Sequence, residues 1–250
     1  LLGAALLATA GFTPAVLGMA AVLGLILLIV LFAMPVGLPT GRKGAKFSEV
    51  FSKSVNINWL SAARVFLFGA RDIWFVVGIP IYFYGVFSDG SEEGNRAAFF
   101  LIGSFMAVWT ILYGAVQVAT PRLLRASNRS DAELIKAART WAGILSVVPT
   151  VLAVAVFVAG PTAPWMTGFL IAGLLLFGGL FAVNSSLHSY LILAFTQTER
   201  VTMDVGFYYM ANAGGRLLGT VLSGLTYQLG GLSACLGSAA VMVALSALAA

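Results

Sequence analysis

Apolar residues fill this chain in long blocks, broken by short stretches rich in glycine, proline and charge. A run of about 20 apolar residues is what an α-helix needs to cross a hydrocarbon core of about 30 Å. Leu1–Ala10 is a short apolar run that reads as the end of a helix, closed by a turn at Gly11-Phe12-Thr13-Pro14, and Ala15–Met34 is a full crossing. Six more crossings are predicted from Trp59 onward: Trp59–Phe87, Ala97–Ala119, a helix through Trp141–Ala159, Trp165–Phe195, Val205–Tyr227 and Gly231–Ala250. Ser130-Asp131-Ala132-Glu133 matches a capping box, so the third of these helices begins well before its apolar part. Phe47, Val50, Phe51 and Val55 fall at helical spacing with Glu49 and Lys53 between them. They read as an amphipathic helix on the membrane surface or as an early start of the next crossing.

The pattern divides the chain into 1–34, the end of one helix bundle; 35–57, a linker with the amphipathic segment; and 58–250, a six-helix bundle. It opens on Leu1 inside an apolar run, without signal-peptide anatomy, and reads as part of something longer.

Composition agrees with an integral membrane protein. Hydrophobic residues make up 60% and charged ones 9%, against about 25% charged in a soluble domain. The net charge of +5 does not point to nucleic acid, because the basic residues lie scattered through loops. Loops 35–57 (Arg42, Lys43, Lys46) and 121–139 (Arg122, Arg125, Arg129, Lys136, Arg139) are basic, 88–96 is acidic and 160–164 is uncharged. That alternation places the basic pair in the cytoplasm, and 196–204 with them by parity. One cysteine, Cys235, and one histidine leave no disulfide within the chain and no multi-histidine or cysteine metal framework, and no cofactor is expected.

Polar residues inside the crossings carry the chemistry. Arg64 and Arg71 lie seven residues apart on the first of the six, about 20° from a common direction on an α-helix, with Ser61, Gly78 and Tyr82 on that face. Asp72 follows Arg71. The second crossing aligns Thr110, Tyr113 and Gln117, the fourth carries Asn184, Ser185 and His188, with Asn184 and His188 four apart, and the fifth aligns Tyr209, Asn212 and Arg216. The third and sixth have no ionisable group in their cores. Four helices with a wet face and two without fit a bundle that lines a cavity. Arg71 and Arg216 fall roughly 17–20 Å from the cytoplasmic starts of their helices, near the midplane.

An arginine at mid-membrane costs at least about 2.5 kcal/mol, so it faces protein or a wet cavity. Its planar fork suits oxyanions. Arg71 and Arg216 are therefore expected to clamp an anion, with Arg64 as a second station and Asp72 as the coupling candidate. Other roles stand beside these. Arg71 and Asp72 form a structural pair, or Asp72 neutralises Arg216 across the bundle. Arg64 can snorkel, and His188 is a hydrogen-bonding residue at the cavity edge rather than a proton relay. Asn184, Gln117 and Asn212 can bond between helices. Gly215 and Gly219 form a G-x-x-x-G step suited to close packing, and Gly78-Ile79-Pro80 is expected to kink its helix. No H-E-x-x-H, G-x-S-x-G or G-x-x-x-x-G-K-[ST] occurs, so an enzyme is not expected.

A basic central loop followed by six crossings, four with a polar lining, resembles the C-terminal half of a major facilitator superfamily transporter. Gly114-Ala115-Val116-Gln117 with Pro121-Arg122-Leu123-Leu124-Arg125 is similar to that superfamily's loop motif, without its Asp–Arg pair. The stretches FSKSVNINWLSAARVFLFGARDIWFVVGIPIYFYG (Phe51–Gly85) and VGFYYMANAGGRLLGTVLSGLTYQLGGLSACL (Val205–Leu236) resemble the organoarsenical efflux permeases of arsenic-resistance operons. The resemblance implies a six-helix C-terminal bundle preceded by the last one or two helices of an N-terminal half that is missing here. It further implies a multi-pass protein of the bacterial inner membrane that exports a pentavalent arsenical, an arsenate ester of phosphoglycerate made by a partner glyceraldehyde-3-phosphate dehydrogenase. A superfamily exporter of a drug or sugar phosphate, or a non-transporting membrane scaffold, are the alternatives.

Overall fold

The computed structural model describes residues 2–33, 52–124, 128–196 and 201–250. The linker cations Arg42, Lys43 and Lys46, the amphipathic residues Phe47, Val50 and Phe51, and Arg125, Glu199 and Arg200 lie outside the described residues. Every regular element among the described residues is helical: α1 (Leu2–Ala10), α2 (Phe12–Ala33), α3 (Val55–Ile73), a π-helical turn (Trp74–Gly78), α4 (Ile79–Phe87), α5 (Glu92–Leu123), α6 (Asp131–Ala159), α7 (Met166–Phe195) and α8 (Val201–Ala249). Among the described residues, six helical stretches are long and apolar enough to span a bilayer. The protein is an all-α, multi-pass membrane protein.

The described residues group into two units, one drawn from 1–47 and 83–108, the other from 48–82 and 109–250. In the first, α2 is apolar on every side, with a mean hydropathy of 3.0 and only 6% of its apolar window buried. Such a helix presents its surface to lipid. The predicted four-residue turn shrinks to Gly11, whose φ of 81° favours glycine. Pro14 sits inside the first turn of α2, where its missing N–H would have been unpaired anyway. Between α4 and α5, Asp89 accepts hydrogen bonds from the Ser91 hydroxyl (2.6 Å) and N–H (2.9 Å). These bonds hold its carboxyl below the usual carboxylate range.

Helix starts differ from the sequence expectation in a consistent direction. α5 begins at Glu92 rather than Ala97, and α8 at Val201 rather than Val205. Both place carboxylates, Glu92, Glu93 and Asp204, in a first turn, where the helix dipole favours them. Asp204, expected in a loop, is buried and accepts a 2.8 Å hydrogen bond from the Ser52 hydroxyl. The capping box is present as predicted, with Ser130 and Glu133 each bonding the other's backbone N–H.

The second unit is built around α3. Of the six candidate spans, the one that contains it is the most buried, at 56% of its window. The first arm of α8 runs alongside it in parallel. A Cβ on Gly215 would strike the Val65 carbonyl oxygen, and one on Gly219 the Gly69 carbonyl oxygen, so the G-x-x-x-G step lies directly on the α3 backbone. α8 then reverses at Gly230 and Gly231, whose φ angles are −154° and 63°. Gly69 is crowded both by the Gly215 carbonyl and by the Met242 methyl. A straight helix would hold residues 215 and 242 about 40 Å apart, so the second arm folds back beside the first. Ser246 anchors it with a 2.8 Å hydrogen bond to the Ala63 carbonyl. At the end where α3 and α6 begin, Ile57, Leu60, Leu134, Leu187, Leu191 and Tyr208 form the core.

The expected kink at Gly78-Ile79-Pro80 takes the form of a π-turn one turn earlier. In an α-helix the Val77 N–H would bond the Ile73 carbonyl. Here the Ser223 hydroxyl of α8 stands between them, donating to the Ile73 carbonyl and accepting from Val77 N–H at 3.2 Å. Each residue turns an α-helix by about 100°, so a register change of this kind breaks the face expected to run from Arg64 to Tyr82. Gly78 packs on Cys235, and the Tyr82 hydroxyl donates to the Pro161 carbonyl at 3.0 Å.

Candidate functional site

The polar residues of the second unit gather into two adjoining stations. The first centres on Asp72, which is buried at 2% exposure. Its Oδ1 accepts from Arg71 Nε at 2.6 Å and faces Arg71 Nη2 at 2.5 Å, while its Oδ2 accepts from Arg216 Nε at 3.2 Å. One carboxylate thus serves two guanidinium groups. Close contact of α3 and α8 at Gly219 brings this about, since Gly219 lies against the Asp72 Cβ. The Arg71 side chain is 13% exposed and that of Arg216 is 59% exposed. Arg71 also lies over the rings of Phe68 (5.1 Å) and Phe181 (5.7 Å). Below them, Trp74 meets Trp109 and Phe177 edge-on, and the Trp109 N–H donates to the Leu174 carbonyl at 2.8 Å.

The second station centres on Arg64, 4% exposed and without an ion pair to any described carboxylate. Its Nη1 donates to the Ser185 carbonyl at 3.1 Å and hydroxyl at 3.2 Å. Its guanidinium carbon sits 4.0 Å from the Phe68 ring centre and 4.8 Å from that of Tyr208. Such stacking offsets part of the desolvation cost of the charge. Several buried polar atoms on these elements have no hydrogen-bond partner: Arg64 Nε, the Ser61 hydroxyl, both amide atoms of Asn184, both ring nitrogens of His188, and Asn212 Oδ1. His188 and Asn184 are fully buried, and His188 lies within electrostatic reach of Arg64. The Tyr113 hydroxyl is 3.4 Å from that of Ser185 and its ring stacks on Trp109.

The sequence-predicted residues therefore divide. Arg71, Asp72 and Arg216 come together; Arg64 centres the other station, with His188 within its electrostatic reach and Tyr113 beside its partner Ser185, while Asn184 lies fully buried on α7. Tyr209 is 57% exposed, its ring meeting Tyr208 edge-on. Gln117 is half-buried one turn beyond Tyr113. Tyr208 and Phe68 touch the Arg64 guanidinium and were not among the predicted site residues; Ser185, expected among the polar residues of the fourth crossing, supplies its hydrogen-bond acceptors. Phe68 lies four residues after Arg64, and Tyr208 four before Asn212, so helical spacing carried both signals. Among the described residues no group of three or more His, Cys, Asp or Glu side chains gathers to hold a metal.

Comparison of the chain with protein-family models, curated proteins and solved structures returns no match.

Proposed function

We propose that this chain is the C-terminal part of a secondary transporter that exports an organic oxyanion by alternating access. The observation that supports it is the charge imbalance at the two stations: three guanidinium groups, the one carboxylate that meets any of them, and a set of unpartnered buried polar groups on α3, α7 and α8. Buried polar groups are normally hydrogen-bonded, and membrane-embedded charges are normally paired. An excess of cation and donor capacity is what an anion would satisfy. Arg216, the most exposed of the three arginines, makes first contact in this proposal; Arg71 and Arg64 follow.

The resemblance to organoarsenical efflux permeases proposes the cargo, an arsenate ester of phosphoglycerate supplied by a partner glyceraldehyde-3-phosphate dehydrogenase, and the bacterial inner membrane as the location. Two oxyanion groups on one molecule suit two arginine stations. A drug or sugar-phosphate exporter of the same superfamily is the runner-up. One observation favours a non-transporting scaffold instead: Asp72 already pairs with both Arg71 and Arg216. Arsenical export from cells making the full-length protein separates these readings. Losing one charge-assisted contact, about 1.5–3 kcal/mol, lowers export about tenfold or more in Arg71→Ala and Arg216→Ala. Normal export by both variants overturns the proposal.

A further inference from the structure

Arg64 is a buried cation without a counter-ion. It pairs with no acid among the described residues, and Asp72, about two turns along α3, is committed to Arg71 and Arg216. Arg71 adds a second positive charge within electrostatic reach. Taking a lone cation out of water is costly. The rings of Phe68 and Tyr208 and the Ser185 oxygens offset only part of that cost.

The unpartnered atoms around this charge have hydrogens to give. Arg64 Nη1 is engaged by Ser185, but Nε, a donor that cannot accept, has no partner. The Ser61 hydroxyl is 2% exposed and also lacks one. Residues three apart on a helix are surface neighbours, so Ser61 adjoins Arg64 on α3. On α7, His188 stands three residues beyond Ser185, fully buried, with both ring nitrogens unpartnered. A histidine ring always carries at least one N–H, and this one lies within electrostatic reach of Arg64. Two helices thus bring spare N–H and O–H groups to one uncompensated charge. A water molecule would satisfy the hydrogen bonds and leave the charge; an anion answers both.

We propose that the Arg64 station binds a halide ion, held by Arg64 Nε, the Ser61 hydroxyl and a His188 N–H. Burial favours a monovalent ion, because the cost of removing an ion from water is large and grows with its charge. A spherical ion also accepts from donors on two helices without a preferred plane. The inference does not rest on the transport reading, since a buried cation needs a counter-charge whether or not the chain moves a cargo. Within that reading, the halide holds Arg64 until the second oxyanion group of the cargo displaces it.

The test is the melting temperature of the purified full-length protein as chloride replaces gluconate at constant ionic strength. The expected result is a saturable rise, reproduced by bromide and absent in Arg64→Met. Ser61→Ala, which removes one hydrogen bond to the ion, should raise the chloride concentration for half-effect about fivefold, so the test does not hang on one variant. Arg71→Gln/Arg216→Gln leaves Arg64 in place and should keep a saturable rise. Anomalous scattering from crystals soaked in bromide should place one ion beside Arg64 Nε. A rise of equal size in Arg64→Met overturns the proposal, as does no rise with chloride, or a rise lost only in Arg71→Gln/Arg216→Gln. Failure here is distinct from failure of the transport reading. Normal arsenical export by Arg71→Ala and Arg216→Ala removes that reading and leaves the chloride response standing; a missing chloride response beside impaired export removes this inference alone.

Discussion

Arg64 and Arg71 lie two turns apart on one helix, and the fold treats their charges in different ways. Arg71 shares the Asp72 carboxylate with Arg216, at the open side of the second unit. Arg64 pairs with no acid among the described residues; two aromatic rings and one serine hold it, among polar groups that lack partners. The contrast teaches that the two stations are under different stress. At Asp72 one carboxylate holds two guanidinium groups together, and removing the acid is what costs. At Arg64 the cation itself is the burden, and an anion would relieve it.

The contrast is sharpest in Asp72→Asn. Breaking a buried pair by removing one partner costs about 3–5 kcal/mol, so the melting temperature of the purified protein should fall more than in any other variant here. A fall no larger than that of Arg216→Gln would mean that the acid is dispensable. Gly219→Ala attacks the same station from the backbone. Its Cβ would meet the Gly69 carbonyl and the Asp72 side chain, and overpacking of this kind costs about 1–3 kcal/mol. The loss should be accompanied by weaker anion response, since α8 carries Arg216 away from Asp72. Arg64→Met should behave in the opposite sense. A buried charge without an opposite charge carries a desolvation cost that an apolar side chain does not, so melting should hold or rise while anion binding drops. A clear loss of stability would show that Arg64 is a structural strut and erase the distinction between the stations.

Smaller effects follow. Ser223→Ala removes the hydroxyl that splits the Ile73–Val77 backbone pair, which can then close as α-helix. The net cost should be about 1 kcal/mol, with amide exchange at Val77 slowed as its N–H gains a backbone partner. Arg216→Gln should change stability least, by about 0–1 kcal/mol, because the Arg216 side chain is mostly exposed and Arg71 still pairs with Asp72.

Much of the fold was legible from residue patterns. Apolar runs located the spanning helices, Ser130 and Glu133 located a helix start, and Gly215 and Gly219 announced a close helix contact. Each of these signals is local, or repeats at a helical period. The π-turn was not legible, because its cause is a serine 146 residues away in the chain. The kink was expected from Pro80, the nearest local cause. At the site, the types and spacing of Arg64, Arg71, Asp72 and Arg216 were readable. Their pairing was named only as two alternatives, Asp72 with Arg71 or with Arg216; that Asp72 serves both was not readable, because the distance between α3 and α8 is set by glycines whose partner helix no spacing rule identifies. Tyr208 was passed over for Tyr209 because adjacent residues on a helix face different directions, and only packing chooses between them.

The most direct test of the excess positive charge is equilibrium binding to the purified full-length protein, read as the shift in melting temperature on titrating 3-phosphoglycerate or arsenate. A ligand that binds only the native state stabilises it in proportion to RT ln(1 + [L]/Kd), about 2.7 kcal/mol at one hundred times Kd. The account predicts a saturable rise in the unaltered protein that vanishes in Arg71→Gln/Arg216→Gln and shrinks in Arg64→Met. An equal rise in all three proteins, or none in any, would contradict it.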